Sequence, residues 1–277
     1  MSAASLPYTV LVLLVEIAVG GLAMVTVFDA RRQVTPGYVK AGALTVLPLA
    51  LLAGWTYLSL ARADEIEGYP LASTWFRPLG IALATFVVVD AAHTVAAMVE
   101  HHRLAVALGA VGSAAGCGAL LVLAALLGAP AWSLPGMLLS LLAASAVLGS
   151  ALMAMMWGHW YLTSGRLPKE PMEQMALVLL VALMLQVLSF ALGVVLPPRA
   201  VPEGAGALGV ALGANPAFWL RAGVGLAFPL VVAALAWKAA TIRGMMSATG
   251  LLYIALGLLL AGEVLARGLL FTTGSVV

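Results

Sequence analysis

Six ionisable side chains lie within long apolar segments of this chain, and they are the residues best placed to do chemistry. They are Glu16, Asp90, His93, His159, Arg221 and Glu263. A charged side chain at the centre of a membrane-spanning helix costs about 2.5–3.5 kcal/mol on insertion scales, so each of these residues needs a partner or a task. A further basic residue, Arg267, lies near the end of its segment, from where its long side chain can reach the polar interface.

The two histidines form a first candidate site together with Asp90. His93 and His159 lie on segments that run in the same direction, and they are expected about 15 and 10 Å from the same membrane border. Two imidazoles at similar depth can be the axial ligands of haem b, so His93 and His159 would be the metal ligands if haem is bound. Asp90, one turn before His93, would orient its imidazole or pass a proton. Three interpretations stay open: hydrogen bonding between helices, haem ligation, and a quinone or proton site.

The second candidate site is a proton or charge cluster of Glu16, Arg221 and Glu263, with Arg267 nearby. All are expected in the same half of the membrane, nearer the border from which the first segment starts. An arginine–carboxylate pair is the least costly way to hold such charges in lipid. With Arg267 assigned to the interface, one arginine faces two acids. The carboxylate left over favours a proton-carrying role over a purely structural one.

The elements that carry these residues follow from the composition. Hydrophobic residues make up 64% of the 277 residues and charged residues only 9%, whereas a soluble domain carries about 25% charged residues. Segments of roughly 20 apolar residues are long enough to cross a bilayer as helices. Eight such segments occur, at 7–29, 39–62, 78–101, 104–128, 134–163, 172–197, 215–237 and 245–271. The sequence thus predicts one all-α integral membrane domain over residues 1–277, a bundle of about eight transmembrane helices.

The charges of the connections predict the orientation. After the first, third, fifth and seventh segments they include Arg31, Arg32, Lys40, Arg103, Arg166, Lys169, Lys238 and Arg243. The other connections contain Arg62, Arg77 and Arg199 among the acidic residues Asp64, Glu65, Glu67 and Glu203. Because loops rich in Lys and Arg stay in the cytoplasm, both termini are expected outside.

The cysteine count limits the cofactors. Cys117 is the single cysteine, so no iron–sulfur cluster is expected within this chain. The sequence also contains no Walker loop, no GxSxG or HExxH motif, and no dinucleotide fingerprint between a strand and a helix. An iron–sulfur cluster that works with this chain must therefore belong to a partner.

Three stretches carry a resemblance to a known family. The last segment, "LYIALGLLLAGEVLARGLLFTTG", has a Leu-rich run followed by Gly-Glu-x-x-x-Arg-Gly and an aromatic residue, at Gly262, Glu263, Arg267, Gly268 and Phe271. The opening "YTVLVLLVEIAVGGLAMVTVFDARR" has paired glycines, and "FWLRAGVGLA" begins a span with an arginine. In these stretches the chain resembles the membrane-anchor subunits of dimethyl sulfoxide reductases. Eight helices with both ends outside agree with the topology of that family.

The resemblance implies a subunit that exchanges electrons between the menaquinone pool and an iron–sulfur subunit, which serves a molybdopterin-type catalytic subunit. It also implies the inner (cytoplasmic) membrane of a prokaryotic-type cell. Where the family carries a quinone-site histidine, this chain has "LSLARADEIEGYP" and "RPLGIALATF", with no histidine. The quinone site is therefore expected to have moved toward His93 and His159, unless the chain is a haem-bearing relative.

The leading hypothesis is a quinone-reactive membrane subunit of a respiratory oxidoreductase complex. Its expected partners are an iron–sulfur or multihaem electron-transfer subunit, a catalytic subunit, quinone and the lipid bilayer, with no nucleic acid. The first alternative is a b-type cytochrome with His93 and His159 as haem ligands. The second alternative is a secondary transporter, a class in which interrupted helices are common, and Pro48 and Pro229 would interrupt the second and seventh spans here. The third is a structural scaffold in which the buried charges only stabilise packing.

Overall fold

The computed structural model describes residues 4–66, 68–128, 134–164, 167–195 and 212–277. Four residues that entered the count of loop charges lie outside the described residues: Glu67, Arg166, Arg199 and Glu203. The orientation of the chain stays a prediction from the loop charges.

Long helices dominate the described part of the chain, and eight helical stretches there are long and apolar enough to cross a membrane. The helices are α1 (Leu6–Ala30), α2 (Pro36–Ser59), α3 (Phe76–Met98), α4 (His102–Leu127), α5 (Leu134–Ser164), α6 (Glu170–Val195), α7 (Pro216–Ala222), α8 (Phe228–Thr241) and α9 (Met245–Thr273). A π-helical turn, Gly223–Ala227, joins α7 to α8, so these two helices together form the seventh crossing. The prediction of an all-α membrane bundle with eight spans is confirmed.

Local sequence signals explain several helix boundaries. Proline stands in the first turn of α1, α2 and α7, where its missing N–H has no intrahelical role. The Thr35 hydroxyl accepts a hydrogen bond from the Tyr38 N–H at 3.3 Å, and the Asn215 carboxamide accepts one from the Ala217 N–H at 3.0 Å. Pro48, inside α2, does not end that helix.

Three connections end their helices with the same tight turn. Arg32, Glu100 and Arg243 each follow a helix in the left-handed conformation, with φ of 53°, 59° and 63°. In the first turn the Gln33 N–H donates to the Phe28 carbonyl, and equivalent hydrogen bonds close the other two turns. These turns hold the ends of α1, α3 and α8 close to the starts of α2, α4 and α9.

The ends joined by these turns form one face of the bundle, called the basic face here. Two contacts between helices define it: the Lys40 ammonium lies 2.6 Å from the Glu100 carboxylate, and the Lys169 ammonium donates to the Thr241 carbonyl at 2.6 Å. Lys40 also lowers the pKa of the Glu100 carboxyl through this hydrogen bond and its charge.

The opposite face carries a short β-hairpin between α2 and α3. Its strands β1 (Glu65–Ile66) and β2 (Tyr69–Pro70) pair antiparallel. The Tyr69 hydroxyl donates to the Leu127 carbonyl at the end of α4, and burial raises the pKa of this phenol. The hairpin is thus fixed to the bundle although it lies outside the spans.

Helix α1 runs through the centre of the bundle and packs against α2, α4 and α5. It approaches α5 most closely at Gly20 and Gly149, where a Cβ on Gly149 would lie 2.1 Å from the Gly20 carbonyl carbon. The Ser145 hydroxyl donates to the Glu16 carbonyl at 2.9 Å one turn away. Small residues allow such contacts between membrane helices, and this one fixes the position of Glu16.

Three of the four glycines between residues 109 and 118 of α4 pack closely against neighbouring helices. Gly109, Gly112 and Gly116 lie against side chains of α1, and a Cβ at any of them would clash with a neighbour. Gly118 is the exception, since nothing lies within 4 Å of its Cβ position. Residue 118 is on a different face of the helix, because it follows Gly116 by two residues and not by three or four.

Candidate functional site

Five polar side chains meet inside the bundle and are called the buried charge cluster here. They are Glu16 of α1, Gln186 of α6, Arg221 of α7, and Glu263 and Arg267 of α9. None of the five is more than 4% exposed. Four helices that are distant in sequence are therefore joined by charge and hydrogen bonding in a region without bulk water.

Arg267 and Glu263 are the centre of the buried charge cluster. The Arg267 Nη2 lies 2.5 Å from Glu16 Oε1 and 3.3 Å from Glu263 Oε2. On the other side of Glu263, Arg221 Nη1 lies 3.0 Å from Oε1. The Gln186 side-chain amide donates to the same oxygen. Gln186 thus makes the interhelical hydrogen bond expected from its place in the sixth segment.

Two sequence-based expectations about these charges were wrong. Arg267 does not reach the interface: it is 2% exposed, because α9 continues six residues beyond it to Thr273 and the last residues of the chain are buried. Two arginines therefore face two glutamates, and no carboxylate is left without a cation. Glu16 Oε2 is nevertheless buried with no hydrogen-bond partner among the described residues.

The π-helical turn explains how Arg221 reaches the cluster. A π-helical turn inserts one residue into a helix and often occurs at a functional site. Here Gly225 lies against Gly262 of α9, and a Cβ on Gly225 would lie 2.7 Å from the Gly262 Cα. The absence of side chains at this crossing lets α7 and α9 approach until Arg221 contacts Glu263.

Asp90 and His93, one turn apart on α3, lie in a different region, between α3 and α4. His93 is fully buried, and its Nδ1 lies 2.9 Å from the carbonyl oxygen of Ala105 on α4. A carbonyl only accepts, so Nδ1 carries the proton and Nε2 has the free lone pair. Neither carboxylate oxygen of Asp90 nor His93 Nε2 has a hydrogen-bond partner in the described part of the chain.

His159 does not join this pair. It is exposed on α5, which packs mainly against α1, α6 and α9, whereas α3 packs against α2 and α4. One haem with two histidine ligands needs both imidazoles to face the same iron. The structure places the buried His93 against α4 and the exposed His159 on α5, and it does not bring the two imidazoles to one site.

Thr26 and Asp29 of α1, for which the sequence predicted no role, complete the surroundings of His93. A Cβ on Gly109 would lie 2.2 Å from Thr26 Oγ1 and 3.1 Å from His93 Nδ1, so these side chains converge on one point. One turn further along α1, Asp29 Oδ1 lies 3.1 Å from His102 Nδ1 at the basic face. The three-residue spacing of Thr26 and Asp29 was the available signal, because it places both on one side of α1.

An apolar groove lies between α2 and α3 and is called the α2–α3 groove here. It has a volume of about 350 Å³ and is lined by Leu51, Gly54, Trp55, Tyr57, Leu58, Gly80, Leu83, Ala84 and Val87. Trp55 and Leu58 are 71% and 78% exposed, so the groove opens toward the lipid. Gly80 makes room for the Tyr57 ring, since a Cβ on Gly80 would lie 2.6 Å from the Tyr57 hydroxyl oxygen.

Polar groups lie at one end of the α2–α3 groove. The Tyr57 hydroxyl donates to the Phe76 carbonyl at 2.7 Å, and Arg62 Nη2 lies 3.5 Å from the same hydroxyl. Arg62 also lines a second pocket of about 270 Å³, together with Asp64 and Arg77. The groove is therefore apolar along the spans and cationic where it meets the opposite face.

The described residues contain no group of three or more His, Cys, Asp or Glu side chains placed to hold a metal ion. Comparisons with protein-family models, with curated proteins and with solved structures find no match to this chain.

Proposed function

We propose that this chain is a quinone-reactive membrane subunit of a respiratory oxidoreductase complex. In this proposal it exchanges electrons between the menaquinone pool and an iron–sulfur or multihaem partner, which serves a separate catalytic subunit. The observation that carries the proposal is the α2–α3 groove, an apolar cavity open to lipid with Tyr57 and Arg62 at its polar end.

The shape and chemistry of the groove match those of a quinone. A quinone has a long isoprenoid tail and a ring whose two oxygens accept hydrogen bonds. Ligand sites are mostly apolar, with a few polar groups that fix the orientation. The tail would lie along Leu51, Ala84 and Val87, and a ring oxygen would accept a hydrogen bond from Arg62, because the Tyr57 hydroxyl already donates to the Phe76 carbonyl. In this proposal the quinone binds in the groove and not at His159.

Electron and proton balance require a partner. Oxidation of one quinol to quinone releases two electrons and two protons. Two or more subunits are needed because the chain has one cysteine and cannot hold an iron–sulfur cluster. The protons leave toward water near the hairpin, where Asp64 lines the polar pocket beside Arg62.

The buried charge cluster has a supporting role in this proposal. Every charge in it has an oppositely charged partner, which favours the joining of α1, α6, α7 and α9 into one rigid unit. A proton role for Glu16 is the competing interpretation, since its Oε2 has no hydrogen-bond partner in the described residues.

A second candidate function is secondary transport, and one observation favours it. The seventh crossing is interrupted by the π-helical turn directly after the buried Arg221. Discontinuous helices form the substrate sites of many transporters. Uptake of a solute into proteoliposomes without a redox partner would support transport over quinone chemistry.

The proposal is tested by binding of a radiolabelled menaquinone analogue to the full chain in lipid nanodiscs. Ala84→Phe fills the α2–α3 groove from its exposed wall and should weaken binding at least about tenfold, which corresponds to about 1.4 kcal/mol. Val88→Phe is the matched control, because Val88 is 68% exposed on the same helix and does not line the groove. Equal binding by the two variants would contradict a quinone site in the groove.

A further inference from the structure

Asp90 is the least satisfied ionisable residue among those the structure describes. It is fully buried, and neither of its carboxylate oxygens has a partner. Its position is eight residues before Met98, or about 12 Å from the end of α3. An ionised carboxylate without a partner is too costly in such an environment, so the group is held as the neutral acid. A residue kept in this state inside a membrane points to a function in proton binding.

His93 provides a proton acceptor on the same face of α3. The hydrogen bond from its Nδ1 to the Ala105 carbonyl leaves the Nε2 lone pair free. One helical turn separates His93 from Asp90, which is a distance that side chains at this spacing can bridge. The buried pair thus consists of a proton donor, the Asp90 carboxyl, and a neighbouring base.

A polar route leads from this pair to the basic face. The Thr26 hydroxyl converges with His93 on Gly109, and it has no partner of its own in the described chain. Beyond it, a pocket of about 110 Å³ is lined by Asp29, His102 and Ala105, among others. Ala105 is thus shared between this pocket and the hydrogen bond of His93. The charge of Asp29 is close enough to act on the His93 imidazole.

We propose that Asp90 and His93 form a proton-binding site inside the bundle that exchanges its proton with water at the basic face through Thr26, Asp29 and His102. The site needs neither a quinone nor a redox partner, so it does not rest on the function proposed for the α2–α3 groove.

The proton balance of one exchange is simple. In the proposed loaded state the proton is on the Asp90 carboxyl, and a neutral His93 carries its own proton at Nδ1. On unloading, the Asp90 proton moves to Nε2, and the Nδ1 proton leaves to water in the pocket at Asp29. One proton is released, and the Asp90 carboxylate accepts a hydrogen bond from His93, which keeps its proton at Nε2. Loading reverses these transfers.

Two charged pairs lie near this route, and Arg32 lines a neighbouring pocket with Asp29 and His102. His102 of α4 contacts Asp29 of α1, and Lys40 of α2 contacts Glu100 at the end of α3. No cation among the described residues therefore compensates Asp90 directly, and its charge changes with its proton.

The site is tested with dicyclohexylcarbodiimide, which modifies protonated carboxyl groups in apolar surroundings. The full chain in phosphatidylcholine liposomes is treated at graded pH, and adducts are mapped by peptide mass spectrometry. We expect an adduct on Asp90 whose yield falls as the pH rises. Asp90→Asn is the control, because it lacks this carboxyl, and Glu16 and Glu263, which contact arginine, are mapped in the same digest for comparison. The absence of an adduct on Asp90 at acid and alkaline pH alike would overturn the proposal.

The direction of access is tested in sealed vesicles whose inner and outer pH are set separately. The yield of the Asp90 adduct should change with the pH at the basic face and should not change with the pH at the opposite face, which carries the hairpin. His93→Phe, which fills a similar volume, should slow the response to a pH jump at least about tenfold without removing the adduct. A yield that follows the pH of the hairpin face would also overturn the proposal. Because no quinone is present, failure of quinone binding and failure of this site are observed separately.

Discussion

Substitution of Arg267 by methionine is the sharpest test of the buried charge cluster. The change removes the contacts of 2.5 Å to Glu16 and 3.3 Å to Glu263. Glu263 keeps Arg221 at 3.0 Å, but Glu16 loses its only ion-pair partner in the described chain. Because removal of one partner of a buried pair leaves an uncompensated charge, we expect a loss of about 3–5 kcal/mol in the free energy of unfolding. That loss lowers the ratio of folded to unfolded protein by about two to four orders of magnitude, since about 1.4 kcal/mol is a factor of ten.

The second substitution in this test is Glu16→Gln in the Arg267→Met background. It removes the charge that the first substitution left alone, so the double variant should recover most of the lost stability. The assay is reversible unfolding by SDS in mixed micelles, followed by circular dichroism. Arg103→Met is the control, because Arg103 is exposed at the basic face and should change stability little. A loss below about 1 kcal/mol for Arg267→Met, or a double variant less stable than the single one, would refute the reasoning.

Three further predictions concern packing, turns and pH. Gly149→Ala should lower the free energy of unfolding by about 1–3 kcal/mol, because the new Cβ would overlap the backbone of α1. Gly118→Ala has space for its Cβ and should leave that free energy unchanged in the same SDS unfolding assay. Arg243→Gly should raise the free energy of unfolding by about 1 kcal/mol, because glycine adopts the left-handed conformation without the steric cost of a Cβ. An unchanged or lower melting temperature would contradict this. Lys40 lowers the pKa of Glu100, so this pair stabilises above the ordinary carboxyl pKa and loses its effect as the pH falls through the lowered value. The melting temperatures of the wild type and Glu100→Gln should therefore converge at acid pH, and a gap that persists there would argue against the pair.

The architecture was predictable from sequence because a membrane leaves few choices to a backbone. Every polar group of the main chain must be paired within the span, so apolar length alone identifies the helices. The predicted segment at 104–128 agrees with α4, His102–Leu127, to within two residues. Hydropathy cannot show the π-helical turn at Gly223–Ala227, since that turn depends on the contact between two glycines of different helices.

Depth along a helix was predictable, but the direction of a side chain around it was not. Counting residues correctly grouped Glu16, Arg221 and Glu263 at one level. The same counting paired His93 with His159, although their helices do not present them to one site. Arg267 was misplaced for a related reason, because the burial of the last residues of the chain extends the apolar region beyond it.

The most direct measurement of the central claim is cross-linking with a photoreactive menaquinone analogue in the native membrane, with the labelled peptides identified by mass spectrometry. The account predicts label on the α2 and α3 segments that line the groove, between Leu51 and Leu58 and between Gly80 and Val87, and its loss in Ala84→Phe but not in Val88→Phe. Label concentrated on the exposed face of α5 around His159, with the groove unlabelled, would contradict it.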